Sequence, residues 1–383
     1  MGVASASLGS ASTAVPQQES GLWLRSRKWD LALISFSVIF VPLPYLFYLI
    51  GVQLGIDPDV SRNVVNGFVA IAIGGPHMMS TFLRTGLDKD FNKRYPMLIR
   101  SSIIIPIIVV SLAFLNLQLL LTVFFFWAAT HVLHQITYIV ELYNHKEQKF
   151  VRHGSAVSLT ARLIDYGIVM TCLFPFAALK ISRGNFDIGT NDLARVIPEF
   201  FQRPWLFYFA STAFIIALGA FIIKSIHEYR GGYINWPKTI FLTLTVAVAF
   251  TMPALPNLDT AFQGMNTWHS FQYLAITFYI IKVRQQYGDL QNSAPLVAQF
   301  AAKTKDSKGL FALSTMMLVG SLIVFGIVYT IAPVVKPGIE SNMHFDIAYY
   351  TAILSFLWIH YYHDHFLFTN FEALDEAYGE KAA

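Results

Sequence analysis

The stretch LQLLLTVFFFWAATHVLHQITYIV, residues 117–140, contains no Asp, Glu, Lys or Arg over its whole length. A helix needs about 20 predominantly apolar residues to cross the ~30 Å hydrocarbon core of a bilayer. The stretch therefore predicts a transmembrane helix. Two histidines, His131 and His134, lie within it. A strongly polar side chain at such depth is costly unless it faces a partner or a cavity.

Similar windows recur along the chain. Of its 383 residues, 55% are hydrophobic and 13% are charged, and the mean hydropathy is +0.51. The hydrophobic fraction and the mean hydropathy exceed those of an ordinary soluble domain, and the charged fraction is about half of the usual ~25%. They predict an all-α fold, a polytopic transmembrane bundle of about ten helices. The predicted helices, called segments 1 to 10 below, cover 31–51, 63–83, 99–115, 117–142, 158–180, 204–226, 237–256, 260–282, 309–331 and 345–368.

The chain divides into one membrane domain and two tails. Residues 1–22 are rich in Ser, Ala and Gln and lack the features of a secretory signal, so they predict a disordered tail. Residues 23–370 form the transmembrane domain, and 371–383 a cytoplasmic tail. The single cysteine, Cys172, excludes an intrachain disulfide framework or a cysteine-ligated zinc site. A net charge of +4 without a basic patch gives no support to a nucleic-acid partner.

The distribution of basic residues predicts the orientation. With the N-terminus inside, 21 of the 27 Lys and Arg residues fall on the cytoplasmic side and 6 on the other. Basic residues are retained in the cytoplasm, so both termini are expected there, in a bacterial cell (inner) membrane. The outer loop 181–203 alternates apolar residues with polar ones, which predicts a short interfacial helix.

Histidines concentrate in four segments that all run from outside to inside in this orientation. Segments 2 and 8 contain one each, segment 4 contains two, and segment 10 contains three near its end. A spacing of three residues places two side chains on one face of a helix. The sequence therefore predicts a shared metal site, and its candidate ligands are His77, His131, His134, His269, His360 and His363. His365 is turned to a different side of its helix from His363, which weakens its case.

Three further polar residues lie near these histidines in the sequence. Gln135, Gln272 and Asp364 suit partners that orient the imidazoles, and Asp364 is alternatively a direct carboxylate ligand. Neutral imidazole is a strong ligand for iron, copper and zinc. Iron, as one ion or two, is the first expectation, and copper, zinc or haem are the alternatives.

The motif Gly74-Gly75-Pro76-His77 in an early helix, followed by histidine pairs in later ones, resembles the membrane-embedded β-carotene dioxygenases of the bacteriorhodopsin-related family. In these histidine-rich oxygenases, several helices hold a non-haem iron that cleaves a polyene with oxygen. The resemblance implies that His77 is a ligand. Met78, Met79 and Ser80 follow here, where the family typically has Gly-Ala and an Asp.

The histidine pattern and the bilayer setting together predict an integral-membrane metal-dependent oxidoreductase. The expected form is a non-haem iron oxygenase with its site in the cytoplasmic half. Its expected substrate is lipid-soluble: a fatty acyl chain, an isoprenoid or a carotenoid. A monooxygenase would require an external electron donor and a dioxygenase would not. The alternatives are a membrane haem protein for electron transfer and a metal- or proton-coupled transporter.

Overall fold

The computed structural model describes residues 21–150, 156–189, 191–304, 307–338 and 341–369, so most of the two predicted tails lies outside it. The described chain is almost entirely helical, which confirms the all-α fold. Within it, seven helical stretches are long and apolar enough to cross a membrane, as in a multi-pass membrane protein. They are Arg27–Gln53, Pro96–Leu115, Leu117–Lys149, Leu159–Ser182, Pro204–Arg230, Trp236–Ala254 and Lys308–Val335.

The first half of the chain contains several interrupted helices. Segment 1 consists of Arg27–Trp29, a π-helix Asp30–Ser35, a 3-10 helix Phe36–Phe40 and Pro42–Gln53. Segment 2 consists of Pro58–Val69, a π-helix Ala70–Gly74, Gly75–Ser80 and a 3-10 turn Thr81–Leu83. Lys89–Arg94 precedes segment 3, which comprises Pro96–Ser101 and Ile104–Leu115, and segment 4 is Leu117–Phe150.

In the second half, segments 6, 8 and 10 are each one uninterrupted helix. Segment 5 comprises Leu159–Cys172 and Phe174–Ser182, segment 6 is Pro204–Arg230, and segment 7 comprises Trp236–Thr251 and a 3-10 turn Met252–Ala254. Segment 8 is Leu258–Gln286, followed by Leu290–Ser293 and Pro295–Lys303. Segment 9 comprises Lys308–Met317 and Val319–Val335, and segment 10 is Ser341–Thr369.

Segments 2, 8 and 10 are helical but are not among the seven apolar stretches, so their crossing of the membrane stays a prediction. Their polar side chains lower their hydropathy, and many of these side chains are buried within the bundle. Most of Leu258–Gln286 is buried, whereas Pro204–Arg230 buries few residues. The more polar helices thus lie inside, and the more apolar ones are exposed to the surroundings.

Buried ion pairs lie near both ends of the bundle. On the predicted outer side, the Arg62 guanidinium contacts the Asp259 carboxylate at 3.2 Å. On the predicted cytoplasmic side, Lys224 pairs with Asp165 at 2.8 Å and Arg284 with Asp88 at 2.7 Å. A buried charge is tolerated when it is paired and hydrogen-bonded. These pairs join segments that are distant in the sequence.

The predicted interfacial helix in the loop 181–203 is wrong. The loop contains two antiparallel strands, Asp187–Ile188 and Asn191–Asp192, and two 3-10 turns, Ala194–Val196 and Glu199–Gln202. Leu193 and Ile197 are buried in the core together with Phe186. These three apolar residues pack inward over the end of the bundle, whereas Phe200 and Phe201 are exposed, so the apolar residues of the loop do not form one face of a single helix.

Candidate metal centre

Four buried histidines from four different segments form one group. They are His77 of segment 2, His131 of segment 4, His269 of segment 8 and His360 of segment 10. Each offers one ring nitrogen, and these four atoms all lie within 4.8 Å of one another. We call this group the four-histidine centre. None of its side chains is more than 4% exposed.

The four imidazoles contact one another in a closed ring. The centroid of His77 lies 4.7 Å from that of His269 and 4.4 Å from that of His360. His131 lies 4.9 Å from His269 and 4.8 Å from His360. Each imidazole therefore has two histidine neighbours, and the predicted convergence of segments 2, 4, 8 and 10 is present.

The local structure of segment 2 brings His77 into the ring. A π-helix, Ala70–Gly74, precedes His77, and Pro76 lacks the backbone donor that would continue the regular ladder. A Cβ atom on Gly75 would lie 2.6 Å from the Ala70 carbonyl oxygen and 2.7 Å from a Leu318 methyl carbon. Glycine at this position therefore permits close packing between segments 2 and 9. Single π-turns within helices are frequent at functional sites.

Five ring nitrogens in the centre find no hydrogen-bond partner among the described residues. They are Nε2 of His77, Nε2 of His131, Nδ1 and Nε2 of His269, and Nε2 of His360. An unsatisfied buried polar atom costs free energy, and native structures contain few of them. A neutral imidazole presents a lone pair on only one of its two nitrogens, so the four rings offer four lone pairs. Their concentration at one point indicates a site suited to a ligand that accepts nitrogen lone pairs.

Hydroxyl groups hold the opposite nitrogens of two of these rings. The Ser270 hydroxyl lies 2.6 Å from Nδ1 of His77, and the Thr81 hydroxyl lies 2.5 Å from Nδ1 of His360. Such contacts fix the orientation of an imidazole and leave Nε2 directed elsewhere. In both residues the free Nε2 belongs to the centre.

The Asp364 carboxylate determines which proton His360 carries. Its Oδ1 accepts hydrogen bonds from the Thr81 hydroxyl at 2.9 Å and from the Tyr273 hydroxyl at 2.7 Å. A hydroxyl group has one proton to donate. The Thr81 hydroxyl also lies 2.7 Å from that of Tyr273, and when its proton is directed to Asp364, its oxygen accepts from Nδ1–H of His360. The Nε2 atom of His360 then carries the lone pair that a metal requires.

The second carboxylate oxygen of Asp364 lies beside the centre. Oδ2 is 3.4 Å from Nδ1 of His360 and 4.0 Å from Nε2 of His131, and it accepts no hydrogen bond among the described residues. Asp364 is fully buried, and the Arg84 guanidinium interacts with it electrostatically. Its position agrees with the predicted role as a partner of the imidazoles.

The two predicted glutamine partners have different contacts. Nε2 of Gln135 donates to the backbone carbonyl of His269 at 3.0 Å, so Gln135 supports the helix that carries this ligand. Nε2 of Gln272 donates to the carbonyl of Ile34 at 2.6 Å. The described hydrogen bonds of Gln272 therefore join segment 8 to segment 1 and do not involve an imidazole.

The other predicted histidines lie outside the four-histidine centre. Both ring nitrogens of His363 are hydrogen-bonded, Nδ1 to the Thr85 hydroxyl at 3.0 Å and Nε2 to the Ser102 hydroxyl at 2.8 Å. His134 is half-buried, and its ring centroid lies 5.0 Å from that of the exposed His365. The structure thus brings four of the six predicted ligands together and does not bring in His134 and His363.

Three residues that contact the histidines of the centre were not predicted as site residues: Ser270, Thr81 and Tyr273. A signal for two of them is present in the sequence, since a polar residue follows each histidine of the centre by four positions. The pairs are His77 and Thr81, His131 and Gln135, His269 and Tyr273, and His360 and Asp364. Residues four apart are neighbours on one helix face, so these polar residues form a layer one turn beyond the histidines.

A small, largely apolar cavity of about 60 Å³ lies near the centre, although none of the four histidines lines it. Its lining includes Met78, which follows His77, and Tyr361, whose ring stacks on His131 with 4.1 Å between centroids. Aromatic residues of segments 4 and 8, among them Phe125 and Phe262, form further parts of the wall. The centre is therefore buried from water, and the small apolar cavity is lined by residues that neighbour His77 and His131.

The donor set is appropriate for a transition metal. Imidazole nitrogens bind iron, copper and zinc at about 2.0–2.2 Å, so two atoms on opposite sides of such an ion lie ~4.2 Å apart. Small side-chain rotations would bring atoms within 4.8 Å of one another to that separation. Comparison of the chain with protein-family models, with curated proteins and with solved structures gave no match.

Proposed function

We propose that this protein is a membrane-embedded metal-dependent oxidoreductase, a non-haem iron oxygenase that acts on a lipid-soluble substrate. The observation that carries the proposal is a buried centre of four histidines, each with an unpartnered ring nitrogen, near a small apolar cavity. The resemblance of Gly74-Gly75-Pro76-His77 to membrane-embedded iron dioxygenases supports iron as the metal.

His77, His131, His269 and His360 would hold the metal, which would supply the activation of oxygen beside the pocket. The residues of the chain have separate tasks. Ser270 and Thr81 orient two of the ligands, while Asp364 fixes the proton of His360 through Thr81. The apolar wall excludes water from the reacting carbon atoms and binds the substrate, which reaches it through the bilayer.

The proposal is tested by metal analysis and by product analysis of the same preparation. Detergent-purified protein should contain iron and lack the Soret band of a haem. In nanodiscs with a membrane lipid extract and isotopically labelled oxygen gas, label should enter lipid-soluble products. His360→Ala should abolish this incorporation, while Asn185→Leu, exposed on the outer side, should retain it. Protein without metal, or incorporation that is unchanged in His360→Ala, would contradict the proposal.

The geometry is less favourable to the haem alternative. Contacting rings in the centre have centroids only 4.4–4.9 Å apart, so a porphyrin placed between any two of the histidines would overlap the other imidazoles. A Soret band in the purified protein would nevertheless reverse this conclusion. A protein that binds metal ions and releases them across vesicle membranes, without oxygen chemistry, would favour a transporter.

We also propose that the chain crosses a bacterial inner membrane ten times, with both termini in the cytoplasm. The 21 to 6 division of Lys and Arg supports this orientation. The sole natural cysteine, Cys172, is buried, so single introduced cysteines can be labelled against a low background. A membrane-impermeant reagent should label Asn185→Cys in intact cells and Gln291→Cys only after lysis. The reverse pattern would overturn the orientation.

A further inference from the structure

The four-histidine centre is closed to water, so a metal ion needs a way into it. None of the four histidines is more than 4% exposed. A bare cation is too costly to place among apolar side chains, so an ion that enters a buried site exchanges its water for protein ligands in steps. An entry site should therefore offer nitrogen ligands near the surface, next to one of the four histidines.

Two histidines outside the centre meet this requirement. His134 of segment 4 is half-buried and His365 of segment 10 is exposed, and their ring centroids lie 5.0 Å apart. Neither imidazole forms a hydrogen bond with another described residue. We call these two histidines the surface pair. Their ring nitrogens are available to a ligand that arrives from outside the bundle.

The spacing of the surface pair fits one metal ion. An imidazole nitrogen binds a transition metal at about 2.0–2.1 Å and the ring centroid lies ~1.1 Å beyond it, so two imidazoles at a tetrahedral angle have centroids about 5 Å apart. The observed separation is 5.0 Å. A site with two protein ligands, completed by water, holds an ion less tightly than four imidazoles do. It suits an ion that is bound and then passed on.

The surface pair adjoins the centre at His131. This histidine precedes His134 by three residues and interacts electrostatically with both members of the pair. The Phe368 ring contacts both groups, with its centroid 5.9 Å from that of His131 and 5.3 Å from that of His134. Phe368 is only 3% exposed. A ring packed against both histidines has to move aside before an ion passes from one to the other.

Resting on the proposed function, in which the centre holds a metal, we infer that the surface pair is the loading site for this metal. A divalent transition-metal ion first binds His134 and His365, and it is transferred to His131 when Phe368 moves aside. The oxidation state of the ion does not change, since one neutral imidazole leaves the ion as another binds it. The surface pair thus determines how fast the centre fills, and the centre determines how tightly the metal is held.

Rates of metal uptake test this inference. Purified protein in nanodiscs is stripped with a chelator and mixed with Co²⁺, whose visible absorption reports ligation by imidazole. His134→Ala and His365→Ala should each fill the centre about tenfold more slowly than the wild type, through a higher barrier to entry. Both variants should reach the final Co²⁺ content of the wild type. His227→Ala removes an exposed histidine of segment 6 and should load at the wild-type rate.

A variant of Phe368 separates a barrier from a packing contact. Phe368→Leu keeps an apolar side chain and removes the ring, so Co²⁺ uptake and its loss to a chelator should both become about tenfold faster. Because both rates change together, the affinity for Co²⁺ should stay within about twofold of the wild type. Faster loss without faster uptake would show that Phe368 only stabilises the centre, and would contradict its role as a barrier.

Unchanged uptake in either His134→Ala or His365→Ala would overturn the inference, and so would a lower final Co²⁺ content at an unchanged rate. A wild-type protein that takes up no Co²⁺ would contradict both the inference and the proposed function. If Co²⁺ enters through the surface pair but the iron-loaded protein incorporates no labelled oxygen, the proposed oxygen chemistry fails and the loading site stands. If oxygen is incorporated but the two variants load normally, only the loading site fails.

Discussion

His131 and His134 are separated by three residues, and His360 and His363 repeat this spacing, yet the structure gives the two members of each pair different surroundings. His131 and His360 have unpartnered nitrogens in the four-histidine centre. His363 is hydrogen-bonded at both nitrogens, and His134 is half-buried beside His365. Three residues of helix rotate a side chain by about 60° and move it by about 4.5 Å. That displacement places one histidine of each pair in the four-histidine centre and leaves the other outside it.

The largest expected effect contrasts the two members of each pair. His131→Ala and His360→Ala should each lower metal affinity more than about 100-fold, since removing a ligand should cost more than removing one of its partners. His134→Ala and His363→Ala should retain metal at the level of the wild type. Metal content is measured after dialysis against a graded chelator series. Equal loss of metal from the two variants of a pair would contradict the assignment of only one of its histidines as a ligand.

A smaller effect is expected from the carboxylate that supports His360. Asp364→Asn preserves the shape of the side chain but removes its charge and half of its acceptor capacity. Metal affinity should fall about 10–100-fold without being abolished, as for other partners of metal ligands. The same chelator titration measures it. Complete loss of metal would indicate that Asp364 is itself a ligand, and unchanged affinity would exclude it from the site.

Two threonines on neighbouring turns offer a matched comparison. The Thr81 hydroxyl bonds to His360 of the centre, whereas the Thr85 hydroxyl bonds to His363 outside it. Thr81→Val should weaken metal binding about tenfold, the lower end of the range for a ligand's partner. Thr85→Val makes the same chemical change one turn away and should leave metal affinity unaltered. If the two variants lost metal equally, His363 would have to belong to the centre.

The smallest effect on metal, and a distinct one on stability, is expected at His363. His363→Ala removes a buried ring and its hydrogen bonds to the Thr85 and Ser102 hydroxyls, which keep their bonds to backbone carbonyls. This should lower the free energy of unfolding by roughly 1–3 kcal/mol. Thermal denaturation in detergent should detect the change, with His153→Ala as a control for a histidine outside the predicted spans. A fully stable His363→Ala variant would contradict the structural role.

The sequence was sufficient to predict the helical bundle and the segments that hold the site. Long windows such as 117–140 define helices by composition alone, and the common direction of segments 2, 4, 8 and 10 predicts that their histidines lie at matching depths. The sequence was not sufficient to predict that His131 belongs to the four-histidine centre and His134 does not. Both lie on one helix face, and their rotation relative to the other helices depends on packing across the whole bundle.

Local and long-range contacts explain the other differences. Thr81 and Tyr273 each follow a histidine of the centre by four residues, so this repeated spacing could have identified them. Ser270 contacts His77 across 193 residues, and no local pattern predicts that contact. In the outer loop, Leu193 and Ile197 alternate with polar residues as in an interfacial helix. Their burial against Phe186 depends on the end of the bundle being close enough to receive them.

The most direct test of the central claim is X-ray absorption spectroscopy at the metal edge of the purified protein. The four-histidine centre predicts one iron per chain with four imidazole nitrogens at ~2.0–2.2 Å, and fewer imidazoles in His131→Ala but not in His134→Ala. A metal shell without imidazole, or one in which loss of His134 removes a ligand and loss of His131 does not, would contradict the account.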